Sequence, residues 1–173
     1  MQARGYAAKA DHDRCLKQLS EAEHILGGSP TGVPSPWAST FDEASLATET
    51  ARCLRRLGQL GAARRAAARV LTLRPAERTR SRAFARLMMI SILIDEGQPE
   101  EACAMAYEVV AATKALGSVL VVRQLEVLFR RLGPYRRNVE VASFLEVLRA
   151  ELHERRWLTQ GVPTGLDESS GIS

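Results

Sequence analysis

The line GQLGAARRAAARVL, residues 58–71, recurs thirty-nine positions later as GQPEEACAMAYEVV, residues 97–110, with Gly-Gln first and alanines five and nine places on in both. Recurrence at a period of about 20–50 residues marks stacked supersecondary units rather than one irregular core. Each copy opens at a glycine and continues with apolar residues three and four apart, so the unit is a helix entered from a turn. Ala63 and Ala67, like Ala102 and Ala106, share one face of that helix. Small side chains there let a neighbouring helix approach to the low end of the interaxial range of about 8–10 Å. The unit is therefore expected to be a helical hairpin.

A third copy fits the start of the chain, with Ala10 at the turn, Cys15 and Leu19 in the two alanine places and Ala22 following. A fourth hairpin is expected to turn at Gly133, without the alanines. Val141, Phe144, Leu145, Leu148 and Leu152 form one apolar stripe, and Val119, Val122, Leu125, Phe129 and Leu132 another; no segment alternates as a strand does. Helix starts are signalled by Thr40 with Glu43, by Pro75 and Pro99, by Ser118 and by Asn138, and stops by Gly27, Gly58, Gly97, Gly117 and Gly133. Eight helices result: 2–9, 11–26, 41–57, 60–73, 77–95, 99–115, 118–132 and 139–156.

The fold class is expected to be all-α, an α-solenoid of about four hairpins over residues 1–156. The polar, turn-rich end over 157–173 reads as a disordered tail. GGSPTGVPSPWAST, residues 27–40, reads as a connection inside the array, with Trp37 and Phe41 packing back on the helices. The longest apolar run, LMMISILI at 87–94, is far too short to span a bilayer and belongs in the core of a central fifth helix. The chain shows no charged-then-apolar leader, and its three cysteines, Cys15, Cys53 and Cys103, are odd in number and far apart. Both features fit buried thiols in a cytoplasmic protein.

Little in the chain carries covalent or metal chemistry. His12 and Cys15, one helical turn apart and flanked by Asp11 and Asp13, make half a metal site. His24 and His153 stand alone, and Cys53 and Cys103 have no histidine near them. No metal is expected, His12 reads as solvated and Cys15 as packed. There is no GxSxG, no phosphate-cradling glycine loop and no HExxH, so neither an enzyme nor a cofactor is expected. The paired carboxylates Asp95-Glu96 and Glu100-Glu101 flank the Gly97 turn, where they solvate it and favour the next helix start.

The charge distribution is less even. From Arg52 to Arg86 eleven arginines face the single acid Glu77, a balance of +10 in a chain whose whole balance is +4. A merely solvated helical surface mixes its signs.

Measured from Gly58, Ala51 stands seven before, Leu54 four before, Ala63 five after, Leu71 thirteen after and Pro75 seventeen after. In this spacing the chain resembles tetratricopeptide repeats. Ala3, Tyr6 and Ala22 meet the pattern around Ala10, although Glu23 stands where leucine is expected; Leu93 and Ala102 meet it around Gly97, where Ile90 replaces a small residue and no proline closes the unit. Across nearly its whole length the chain is also similar to the C-terminal helical-repeat half of actinobacterial helix-turn-helix transcriptional regulators. The similarity rests on ADHDRCLKQLSEAEHIL, PW, FDEASLATETARCLRRLG, RSRAFARLMMISILIDEGQPEEACAMAYEVV and SVLVVRQLEVLFRRL. It implies a sensing, dimerising or partner-binding module without a DNA reader of its own, either a stand-alone relative or the remnant of a truncated regulator.

The tetratricopeptide resemblance further implies that the first helix of each hairpin lines a groove. The inward places carry Ser45, Thr48, Arg52, Arg55 and Arg56 before Gly58, and Phe84, Leu87, Ser91, Ile94 and Asp95 before Gly97. Before Gly133 they carry Leu120, Arg123, Val127, Arg130 and Arg131. The expected partner site is thus Arg52, Arg55, Arg56, Arg123 and Arg130 as basic walls, with Phe84 and Leu87 as an apolar floor. Such a groove suits a protein partner or acidic peptide with one or two apolar anchors. The alternative is nucleic acid held by segment 52–86, disfavoured because aromatics are only 5% of the chain and the basic segment holds just Phe84. A first helix of only nine residues also implies self-association through the N-terminal hairpin.

Overall fold

The computed structural model of the chain describes residues 2–27 and 41–158. Among these residues the regular elements are helical and no strand occurs. In chain order they are α1 (Gln2–Ala8), α2 (His12–Gly27), α3 (Glu43–Arg56), α4 (Leu60–Leu73), α5 (Thr79–Asp95), α6 (Pro99–Thr113), α7 (Val119–Leu132) and α8 (Val139–Glu154), with short 3-10 turns at Gly133–Tyr135 and Arg156–Leu158. The helices pack as sequential hairpins, α1 on α2, α3 on α4, α5 on α6 and α7 on α8. The odd helices also touch in succession, α1 on α3, α3 on α5 and α5 on α7.

The recurring line corresponds to a recurring turn. Gly58 and Gly97 both stand at φ +74, and Ala10 takes the same left-handed region at φ 55. In each case the amide of the following residue donates five positions back: Gln59 to the Leu54 carbonyl at 2.9 Å, Gln98 to Leu93 at 2.9 Å and Asp11 to Tyr6 at 3.0 Å. The turn residue itself donates three back, to Arg55, Ile94 and Ala7 respectively. This is the Schellman closure of a helix, which satisfies two otherwise orphaned carbonyls. Five and nine residues later Ala63, Ala67, Ala102 and Ala106 are all at most 1% exposed, so the small residues lie at the contact between paired helices.

The fourth hairpin departs from this scheme. Gly133 stands at φ −50 and continues α7 into the 3-10 turn with Pro134, so it is not the left-handed stop expected of it. Six residues, 133–138, separate α7 from α8. The extra length lets α8 lie on α6 as well as on α7. Tyr107 of α6 meets Phe144 of α8 edge to face, with centroids 4.8 Å apart. Arg155, 5% exposed, donates to Glu151 on its own helix end, and also to the Thr113 hydroxyl and the Val110 carbonyl at 3.3 Å each, fastening α8 to the end of α6. A buried charge of this kind is tolerated because its hydrogen bonds are filled.

Other local expectations need correction. Asp42, not Thr40, caps α3, accepting from the Ser45 amide at 2.8 Å. Thr40 and Trp37 lie outside the described residues, as does the tail from 159, while Trp157 and Leu158 belong to the last 3-10 turn. Phe41 is described and is 42% exposed. Pro75 ends α4 rather than starting α5: it holds Arg74 extended at ψ 121, and α5 begins only at Thr79. Pro99 does stand in the first turn of α6, and Asn138 does cap α8 through the amides of Glu140 and Val141. Ser118 precedes α7 without a side-chain cap bond, and Gly117 has no positive φ.

Helix α5 is the centre of the array, in contact with α3, α4, α6 and α7. Ile90, Ile92 and Leu93 are fully buried there, in the core that runs from Ala51 to Leu148. A smaller separate cluster, Ala7, Cys15, Leu19, Cys53 and Leu57, joins the α1–α2 hairpin to α3. None of the helices is long and apolar enough to cross a membrane.

Candidate interaction surface

The tetrapeptide Arg-Arg-Leu-Gly ends both α3, at 55–58, and α7, at 130–133, while α5 ends Ile-Asp-Glu-Gly. Because the odd helices lie side by side, the acid of α5 falls between two arginines. Arg55 Nε donates to Asp95 Oδ2 at 2.6 Å, and Arg131 Nη2 donates to Asp95 Oδ1 and to the Ser91 carbonyl at 3.1 Å. A second carboxylate shared by two arginines lies on α3, with one arginine from α1 and one from α3 itself. Glu49 of α3 is held by Arg4 of α1 and by Arg52 at 3.4 Å. Four guanidiniums thus share two carboxylates along the face made by α1, α3, α5 and α7.

The electrostatics follow from this sharing. Burial alone would raise the Glu49 carboxyl, but the hydrogen bond from Arg4 and the charges of Arg52 and Arg4 outweigh it and hold the pKa below the ordinary value. At the other bridge burial, and then the like charge of Arg55, hold Arg131 below the usual arginine value, with Asp95 opposing both. One acid therefore leaves two neighbouring guanidiniums repelling each other.

The expected site residues fall into three groups. Arg52 and Arg55 are brought into the bridges just described. Arg56 and Arg130, the partners of Arg55 and Arg131 in the two Arg-Arg pairs, are exposed and meet no carboxylate among the described residues. Arg123 lies half-buried two turns before Arg130 on the same helix. The expected apolar floor is mostly closed: Leu87 and Ile94 are 6% and 5% exposed and belong to the core. Phe84 is half-buried, with the Arg80 guanidinium 6.0 Å above its ring. Sequence reasoning missed Arg4, Glu49 and the bridging role of Asp95. Their only sequence signal is register, since Arg4 and Arg52 both stand six residues before a turn residue.

Beyond Arg56, five further arginines of segment 52–86 are engaged elsewhere. Arg64 reaches Glu96 at 3.1 Å, Gln98 at 2.8 Å and Glu101 at 2.7 Å, bracing the α5–α6 turn against α4. Arg69 pairs with Glu43, and Arg74 holds Asp42 at 2.8 Å, tying the end of α4 to the start of α3. Arg82 donates to the Leu71 and Arg74 carbonyls at 2.9 and 2.7 Å, where a cation favours the C-terminal end of α4. Arg86 pairs with Glu108 at 3.4 Å.

Two open hollows lie off the face. One, of about 430 Å³, is lined by Ser20, Glu21, His24 and Ile25. The other, of about 310 Å³, lies between the ends of α6 and α8 and includes Lys114, Glu151 and Trp157. His12 is not simply solvated: its two ring nitrogens lie 3.0 Å from the Ala10 carbonyl and 3.2 Å from the Leu57 carbonyl. Among the described residues no group of three or more His, Cys, Asp or Glu side chains is placed to hold a metal ion. Comparison of the chain with family models, with curated proteins and with solved structures found no match.

Proposed function

We infer that the protein is a non-enzymatic, cytoplasmic interaction module, a tetratricopeptide-like α-solenoid that binds an acidic segment of a partner protein across α3, α5 and α7. The observation that carries this reading is the Arg55–Asp95–Arg131 bridge. A carboxylate already satisfied by two arginines leaves both with unused donors, and the flanking Arg56 and Arg130 add two more forks. Carboxylates entering from a partner accept those donors and relieve the Arg55–Arg131 repulsion. The three equivalent Schellman turns and the unbroken α1–α3–α5–α7 contacts support the solenoid. The resemblance to regulator C-terminal halves is the ground for proposing such a module in transcriptional control. Nucleic acid fits less well, because seven of the eleven arginines of 52–86 are committed to acids and carbonyls, five of them away from this face.

The test is binding of a labelled peptide rich in Asp and Glu with one leucine, read by fluorescence anisotropy against a neutral peptide of the same length and against duplex DNA. Arg56→Glu with Arg130→Glu removes the two uncommitted forks and leaves every described ion pair in place. The acidic peptide is expected to bind, to weaken with salt as exposed charge pairs do, and to be lost in the double variant at unchanged helicity. Equal binding of neutral and acidic peptides, retention by the double variant, or preference for DNA with a steep salt slope would overturn the reading.

A further inference from the structure

Cys15 of α2 and Cys53 of α3 are 0% and 1% exposed. With Ala7, Leu19 and Leu57 they form the small core that holds the first hairpin to the rest of the molecule. Both side chains thus lie in one five-residue cluster where α2 packs on α3. In the repeat, Cys15 stands five residues after the turn residue Ala10 and Cys53 five before Gly58. The same two places at the next junction hold Ala63 and Ile92, and at the following one Ala102 and Leu128, all of them buried. A small and a large apolar side chain therefore satisfy this position elsewhere in the array. Only the first junction fills it with two sulfurs.

We propose that Cys15 and Cys53 are a dithiol that closes to an intramolecular disulfide, locking the α1–α2 hairpin onto α3. The oxidant is a small-molecule disulfide of the oxidised glutathione class. The thiolate of one cysteine attacks it, forming a mixed disulfide and releasing one small thiol. The thiolate of the other cysteine then displaces the second. Two protons and two electrons leave the pair, and the oxidant is reduced to two thiols. Burial, and then the neighbouring Cys15, push the Cys53 thiol up to about 12, so attack waits on α2 swinging away from α3. Reclosure brings the sulfurs back together and favours the second step over a lasting adduct. In a reducing compartment the pair stays as thiols until such oxidants accumulate. Cys103, in the main core, is the internal control.

The experiment incubates the full chain with oxidised glutathione at a temperature just below its melting midpoint. The chain is then alkylated with N-ethylmaleimide in denaturant and weighed intact. The expected product has lost two hydrogens, takes up one maleimide instead of three, melts at a higher temperature than the reduced chain, and reverts with dithiothreitol. Cys15→Ala, which installs the residue found at the equivalent places, and Cys53→Ala should each keep two alkylatable thiols. Cys103→Ala should lose both of its own, which keeps the test decisive if either of the first two variants folds poorly. Three free thiols after oxidation, a lasting glutathione adduct on Cys15 or Cys53, a disulfide that includes Cys103, or an oxidised form that melts no higher would each overturn the proposal.

Discussion

Substituting the turn residues gives a test whose sign changes from one glycine to the next. A β-carbon added at Gly58 or Gly97 meets nothing within 4 Å, so the cost of Gly→Ala there is confined to the backbone at φ +74. The left-handed region costs an L-residue about 1–2 kcal/mol. Alanine recovers about 0.4–1 kcal/mol by restricting the unfolded chain. Gly58→Ala and Gly97→Ala should therefore each destabilise by about 1 kcal/mol, close to 0.5 M in urea midpoint for a slope of about 2 kcal/mol/M. Ala10 bears that strain already at φ 55, so Ala10→Gly should stabilise by about 0.5–1 kcal/mol. Gly133 stands at φ −50 with nothing within 4 Å of its added carbon, and Gly133→Ala should stabilise by up to about 1 kcal/mol as a helical Gly→Ala does. Urea melts of the four variants followed by circular dichroism measure all of this. A Gly133→Ala as costly as Gly58→Ala, or a destabilising Ala10→Gly, would refute the equivalence of Ala10 with the two glycines and the exception made of Gly133.

Ala63→Leu and Ala102→Leu, at sites that are 0% exposed, should each lower stability by about 1–3 kcal/mol through overpacking, whereas Ala76→Leu in the exposed α4–α5 turn should change it by less than about 0.5 kcal/mol in the same melts. Asp42 and Glu49 have folded pKa values below their ordinary 3.8 and 4.5, because the bonds from Ser45 and Arg74 and from Arg4 and Arg52 outweigh burial. Their stabilisation is fully present above those ordinary values and is lost as pH falls through the lowered folded ones, so urea midpoints should drop on acidification and Glu49→Gln should flatten that drop. Burial pushes Cys103 up to about 11 and Cys53 to about 12, so near pH ~8 a disulfide reagent should label the folded chain only as fast as it opens and the denatured chain at once.

Helix positions were legible because their determinants are local. The Schellman turn needs one residue able to take positive φ and a helix on its N-terminal side, and both are written within seven residues of Gly58 and Gly97. Ala10 was found through register alone, since alanine is a poor choice for φ 55 and nothing in its own type points there. Gly133 misled for the converse reason. Glycine permits a left-handed stop without imposing one, and here six residues carry the chain across so that α8 packs on α6 through Phe144 and Arg155. That requirement is tertiary and leaves no mark on the tetrapeptide Arg-Arg-Leu-Gly, which ends in a left-handed glycine after α3 and in a helical one after α7.

Charge was the least legible property, for a geometric reason. Along a helix successive residues point about 100° apart, so a run of arginines is spread around the axis, and its neutralising acids come from whichever helix each arginine faces. Asp42, Glu43, Glu49, Asp95, Glu96, Glu101 and Glu108 meet arginines of segment 52–86 in space, and every one of them lies outside it in sequence. The apparent excess at 52–86 is thereby largely cancelled and works as bracing between hairpins. Arg4, Arg52, Arg55 and Arg131 meet their acids where the odd helices lie side by side. Arg55 and Arg131 are seventy-six positions apart in sequence and share a single carboxylate because α3 and α7 both pack on α5. Neighbouring helices rather than neighbouring residues thus decide which arginines keep a carboxylate, and Arg56 and Arg130 are left exposed beside the Arg55–Asp95–Arg131 bridge for that reason.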